Sequence, residues 1–169
     1  MMVQRSLLLY QLIDCGYDVL FSDNDIVFFK DPLDYIPKEY DMIMQQDSTG
    51  IDWVDTVKIP YACGGFMFIR NNERSKKFWR KVIEIQLNHD KNDQTAINIC
   101  MWNPFLMKWT TFDNRIFVDG LNYYKKRNYD DENKVIVHSN WLLSLERKEE
   151  RMKQHRMWFL DKNNNCLLN

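Results

Sequence analysis

The strongest constraint in this chain is the stretch Tyr17-Asp18-Val19-Leu20-Phe21-Ser22-Asp23-Asn24-Asp25-Ile26-Val27-Phe28-Phe29-Lys30-Asp31-Pro32-Leu33. A short run of strand-forming residues ends in two carboxylates separated by one residue, and a second apolar run stops at Asp31-Pro32. The pattern predicts a buried strand over 18–22 that delivers Asp23 and Asp25 at its carboxyl end. In α/β sheets the ligand crevice lies beyond the carboxyl ends of strands, so two acidic side chains placed there can meet a metal-bound phosphate. Two carboxylates at i and i+2 can share one divalent cation, and hard oxygen ligands suit Mg²⁺ or Mn²⁺.

The rest of the chain bounds this reading. One domain is the default for 169 residues, and 45% hydrophobic content with 14% aromatic residues is enough to bury a core. A formal charge of -1 gives no global field to recruit nucleic acid or an anionic membrane, so any anion site must be local. Cys15, Cys63, Cys100 and Cys166 stand far apart without a C-x-x-C pair, which predicts reduced, scattered thiols. No charged-then-apolar leader, membrane-spanning run or N-x-Ser/Thr sequon occurs, so the expectation is a soluble chain not addressed to the secretory route, its compartment unknown.

Along the chain, Leu8, Leu9, Leu12 and Ile13 predict a helix over residues 2–14 covering the first strand, with Gly16 as its stop. After the Asp-x-Asp turn, Val27, Phe28 and Phe29 are expected to return to the core. Residues 41–45 read as a second strand and residues 46–60 as a polar loop of functional size. Cys63 to Arg70 reads as a strong strand entered through paired glycines. Asn71 or Asn72 caps a helix with Phe78, Trp79, Val82, Ile83 and Leu87 on one face. Another helix begins at Asn92-Asp93-Gln94, presents Ala96, Ile97, Cys100 and Met101 inward, and ends before Pro104. Phe78, Trp79 and Trp102 read as core. Short strands are expected over 109–112, 115–118 and 134–137, the last delivering His138. A largely charged helix over 141–160, with an apolar stripe at Leu145, Met152 and Phe159, closes the chain before a tail over 161–169.

These landmarks resemble a known family. The Asp-x-Asp run with Asp31-Pro32-Leu33 looks like the corresponding segment of the nucleotide-diphospho-sugar transferases, glycosyltransferases of GT-A fold. Cys63-Gly64-Gly65-Phe66-Met67 is similar to their Gly-Gly-Phe strand, and Asn92-Asp93-Gln94 to Asn98 to their Asp-Gln helix. Phe117 to Tyr124 resembles their Phe-x-x-Gly-x-x-Tyr turn, and Val137-His138-Ser139-Asn140-Trp141, with Lys148 and Trp158 beyond, their His-x-Asn segment. The resemblance implies an α/β, GT-A-like (Rossmann-like) mixed sheet flanked by helices, one domain over 1–160. Only 22 residues precede Asp23, so much of the N-terminal nucleotide-binding unit is expected to be missing from the chain.

The resemblance also implies roles. Asp25 and His138 would ligate Mn²⁺ or Mg²⁺, while Asp23 would touch the metal or the donor's ribose. Lys148 would neutralise the departing diphosphate, and Asp93 and Gln94 would face donor sugar or acceptor. Gly64, Gly65 and Asn140 would lie against the nucleotide-diphosphate sugar. The implied activity is metal-dependent sugar transfer to an acceptor hydroxyl on a glycan, protein or small molecule, with retained stereochemistry. Ser144 stands where relatives tend to have glycine, which predicts a different backbone path beside the diphosphate.

From the residues alone each has a plainer reading. The two acids can be solvated in a capped turn, His138 bonded locally and Lys148 one charge of a solvated run. Asp93 suits the first turn of a helix, and the glycines suit a tight strand entry. Two other functions fit part of the pattern. One is a truncated transferase-like binding domain without catalysis. The other is a phosphohydrolase of the haloacid dehalogenase type, with Asp23 as nucleophile and Asp130-Asp131 as the late acidic pair.

Overall fold

The computed structural model describes residues 2–48, 61–103, 105–141, 144–161, 163, 165 and 166. Of the predicted polar segment 46–60, residues 49–60 lie outside this set, as does Pro104. The fold is mixed α/β and GT-A-like. A four-stranded sheet has the order β1-β4-β3-β5, formed by β1 (Val19–Ser22), β3 (Met42–Gln46), β4 (Ala62–Ile69) and β5 (Trp109–Thr111). A three-stranded sheet has the order β2-β7-β6, formed by β2 (Ile26–Phe28), β6 (Phe117–Asp119) and β7 (Ile136–His138). Strand β4 runs antiparallel to both β1 and β3, and all of its residues are buried.

Strand alternation sorts the side chains into three cores. Met42 and Met44 of β3, with Met67 and Ile69 of β4, face three helices, α1 (Met2–Asp14), α2 (Glu73–His89) and α3 (Asp93–Met101), through Leu9, Ile13, Phe78, Trp79 and Ile97. The intervening Ile43, Phe66 and Phe68 face the second sheet, where Phe117 and Ile136 meet them. The opposite face of that sheet, Val118 and Val137, is covered by Tyr123 and Tyr124 of a π-helical turn (Asn122–Lys126) and by Met152 of α4 (Leu145–Gln154). His138 follows Ile136 by two positions, so alternation turns it toward the first sheet.

Helix starts follow capping chemistry. Asn72 accepts from Ser75 N, Asn92 from Thr95 N and Ser144 from Arg147 N, each satisfying an otherwise orphaned amide. Asp90 at the end of α2 is left-handed (φ 47°), and Arg156 just beyond α4 likewise (φ 57°). Helix α4 is therefore about half the length expected, and Leu145 is 81% exposed rather than part of an inward stripe.

Other expectations are corrected too. Val27 is buried, but Phe28 and Phe29 are exposed on one side, Phe28 meeting Phe66 edge-on and Phe29 lying under the Lys134 ammonium. Leu8 and Leu87 are exposed while Ser6 and Gln86 are buried. At about 100° per residue, Ser6 lies close to Leu9 and Ile13 on α1, and Gln86 close to Phe78 and Val82 on α2, whereas the two leucines fall outside those stripes. Trp102 is exposed because it caps α3 one turn after the outward-facing Ile99. Cys63 and Cys100 are buried thiols, and Cys15 is an exposed one. Among the described residues no helix is long and apolar enough to cross a membrane.

Candidate active site

Every residue to which the resemblance gives a metal, donor or catalytic role lines one cavity of about 400 Å³: Asp23, Asp25, Gly64, Gly65, Asp93, Gln94, His138, Asn140 and Lys148. Four places in the fold supply them. The end of β1 gives the Asp-x-Asp turn, the start of β4 the glycines, the first turn of α3 the Asp-Gln pair, and the end of β7 with α4 the histidine, asparagine and lysine. These ends converge because β1 pairs antiparallel with β4, setting Ser22 opposite Phe66, and because β2 pairs with β7, setting Ile26 opposite His138. The backbone tightens both joints: Asp23 N donates to Gly65 O at 2.7 Å, and Ser139 N donates to Asp25 O at 3.0 Å.

Asp23, Asp25 and His138 form a possible cation site, with one donor atom from each lying within 4.8 Å of the others. His138 Nε2 lies 3.2 Å from Asp25 Oδ1 and 3.8 Å from Asp23 Oδ2. Gly65 lies against this group so closely that a Cβ there would sit 2.4 Å from His138 Cε1 and 2.5 Å from Asp23 Oδ2. Two carboxylates and an imidazole, held together against a bare backbone, fit a divalent cation with mixed oxygen and nitrogen ligands.

Lys148 Nζ donates to Asp25 Oδ2 at 2.6 Å. Burial alone would raise the Asp25 carboxyl, but bonds and charge from His138 and Lys148 outweigh it and hold the group far below the usual carboxylate range. Asp23 lacks such close partners, and burial pushes its carboxyl up against the weaker pull of His138 and Arg5. Burial disfavours a charged His138, yet its bond to Asp25, helped by Cys63, pushes the imidazole up to about 9.

The other predicted residues surround this group. Gln94 Oε1 accepts from Gly64 N at 3.0 Å, and its amide donates to Asp47 Oδ2 at 3.0 Å. Asn140 accepts from Gly120 N at 2.9 Å and points its amide at Cys63 Sγ, bracing the turn after β6 against β4. Asp93 is buried and paired with Arg5.

Arg5 was not singled out from the sequence. It reaches from α1 over the Phe21 ring to pair with both Asp23 and Asp93. Gln45, also missed, bonds His138 directly. The acidic pair required by the phosphohydrolase reading, Asp130-Asp131, is exposed and engaged with Asn133 and Lys134.

Residues 1–152 match the family described as nucleotide-diphospho-sugar transferase. A UDP-galactose:fucoside alpha-3-galactosyltransferase of Dictyostelium discoideum is 26% identical over 94% of the chain. A UDP-D-xylose:L-fucose alpha-1,3-D-xylosyltransferase of Arabidopsis thaliana is 25% identical over 90% of it. The chain spans 28% and 45% of these relatives' lengths, respectively. Among solved structures, the glycosyltransferase GlyE of Streptococcus pneumoniae TIGR4 shares the fold with a TM-score of 0.58 and 16% identity, covering 86% of this chain and 37% of its own.

Proposed function

Because the chain belongs to the nucleotide-diphospho-sugar transferase family, we propose that it carries the metal and donor-diphosphate site of a glycosyltransferase moving a sugar from a UDP-sugar to an acceptor hydroxyl. The observation that carries this reading is the Asp23–Asp25–His138 group with Lys148 bonded to Asp25 at the edge of a polar cavity. A divalent cation held by Asp23, Asp25 and His138 would neutralise the diphosphate as a Lewis acid, and two of those ligands form the Asp-x-Asp motif.

The chain's own residues divide the remaining work. Lys148 Nζ, at the mouth of the acidic pair, is placed to donate to a phosphate oxygen and stabilise negative charge growing on the leaving diphosphate. Gly64 and Gly65 present bare backbone to the donor. Arg5, Asp93 and Gln94 form a paired set of donors and acceptors on the cavity wall for sugar hydroxyls. The donor nucleotide is read as UDP because both curated relatives named above use UDP-sugars.

The test is thermal melting of the chain with Mn²⁺ and UDP, beside Asp25→Ala and His138→Ala. Ligand at about 100 times its Kd adds roughly 2.7 kcal/mol to the folded state, a shift of several degrees for a chain of this size. A Mn²⁺-dependent shift lost in both variants supports the reading. Folded wild-type chain silent to Mn²⁺ with UDP and with GDP refutes it.

A further inference from the structure

We propose that Gln45 is the positioning residue of the metal centre: its amide, locked onto the Phe117 carbonyl, fixes which nitrogen of His138 faces Asp23 and Asp25. The inference rests on the metal reading above. Gln45 is fully buried, so both ends of its amide need partners. Its Nε2 donates to Phe117 O at 3.2 Å, and its Oε1 lies 2.7 Å from His138 Nδ1. A flipped amide would set oxygen against oxygen at Phe117, so the carbonyl oxygen there, which only accepts, dictates that the amide oxygen of Gln45 faces the imidazole. His138 Nδ1 must then carry a hydrogen.

Three features make this placement specific. The register of β3 against β4 shifts between Met44 and Gln45, which sets Gln45 opposite Cys63 and beneath the end of β7. Alternation with Ile43 turns Gln45 toward the second sheet, where Phe117 and His138 lie. The other group near Nδ1, Cys63 Sγ at 3.8 Å, is the weaker partner and receives the Asn140 amide. With Nδ1–H spent on Gln45, the proton the ring gives up comes from Nε2, the nitrogen 3.2 Å from Asp25 Oδ1, and the lone pair left there faces a cation held between the two carboxylates. A ring with the reverse tautomer would aim a hydrogen at them and could not ligate a cation. Gln45 thus plays the part that a carboxylate or carbonyl behind a metal-bound histidine commonly plays.

The experiment uses the full chain, with two readouts. Long-range ¹H–¹⁵N correlation at alkaline pH, where the ring is neutral, reports the His138 tautomer apart from His89 and His155. Mn²⁺ titration followed by electron paramagnetic resonance reports affinity. Wild-type chain is expected to show Nδ1–H. Gln45→Met should lose that preference and bind Mn²⁺ about 10–100-fold more weakly. Gln45→Glu keeps an acceptor oxygen toward Nδ1 and should restore both readouts, while its second oxygen, set against the Phe117 carbonyl oxygen, lowers the melting temperature of the chain. Gln45→Ala carries the same expectation as Gln45→Met and replaces it if the longer side chain disturbs folding. A wild-type ring protonated at Nε2, or a Gln45→Met chain unchanged in either readout, overturns the inference. Wild-type chain that shows Nδ1–H but binds no Mn²⁺ overturns the metal reading instead, since the tautomer is measured without metal.

Discussion

Replacing Gly65 by alanine tests whether Asp23 and His138 share a ligand. A Cβ at this position would lie 2.4 Å from His138 Cε1 and 2.5 Å from Asp23 Oδ2, against ordinary contacts of 3.4–4 Å. Either ligand, or the β4 backbone, must therefore yield by about 1 Å, five times the roughly ±0.2 Å that a metal–ligand bond tolerates. His138 is 1% exposed and tied to Gln45, so Asp23 gives way first.

The expected result is at least a 10–100-fold loss of Mn²⁺ affinity, about 1.4–2.8 kcal/mol. Overpacking adds about 1–3 kcal/mol of lost stability, a fall in Tm of about 2–12 °C for a chain of this length. Gly64→Ala is the internal control. Its Cβ would meet the end of the Arg5 side chain at 3.0 Å, and a guanidinium on a flexible stem can swing aside. Calorimetric Mn²⁺ titration of both variants, with melting curves alongside, separates loss of the site from loss of the fold. Gly65→Ala that stays folded and binds Mn²⁺ like wild type would refute the shared site.

Three further expectations follow from the same geometry. Lys148→Met should tighten Mn²⁺ binding in the absence of nucleotide, because Lys148 and a cation compete for Asp25, and should weaken UDP in its presence. Equal effects on both titrations would contradict separate roles. Mn²⁺ must displace the proton that His138 holds up to about pH 9, so affinity should fall about tenfold per unit as pH drops from 8.5 to 6.5; a flat profile would refute this. The same raised value contributes fold stability that is complete below the ordinary histidine value of 6.5 and is lost as pH climbs through about 9. Away from the site, Asp41 is buried beneath Arg74, Asn72 and the Lys108 amide, which hold its carboxyl low despite burial. Asp41→Ala should cost about 2–3 kcal/mol in denaturant melts, since it strands several donors at the entry to β3, and a loss under 0.5 kcal/mol would show that water replaces them.

What the sequence could reveal depended on whether a residue's neighbours in space were also its neighbours in the chain. Asp23 and Asp25 were legible because the apolar run in front of them fixes a strand end, a local property. Gly65, His138 and Lys148 carry no local signal as strong, and their expected roles came through an ordered set of landmarks shared with a family. Gln45 and Arg5 had neither. From the sequence Gln45 reads only as the last residue of the strand over 41–45, and its partners Phe117 and His138 are 72 and 93 residues away. Arg5 sits beside a leucine stripe in a segment with no motif, yet its length carries it over Phe21 to two carboxylates.

Periodicity failed for the same reason in the helices. A stripe is read by choosing the leucines, whereas packing chose Ser6 and Gln86 because they lie near the middle of the buried arc. Distance in the chain thus separates the two kinds of site residue. The ligands themselves cluster where strands end and glycines permit close approach, so a motif can mark them. The residues that orient those ligands are drawn from whichever element happens to pass behind, and only the assembled sheets reveal which one does.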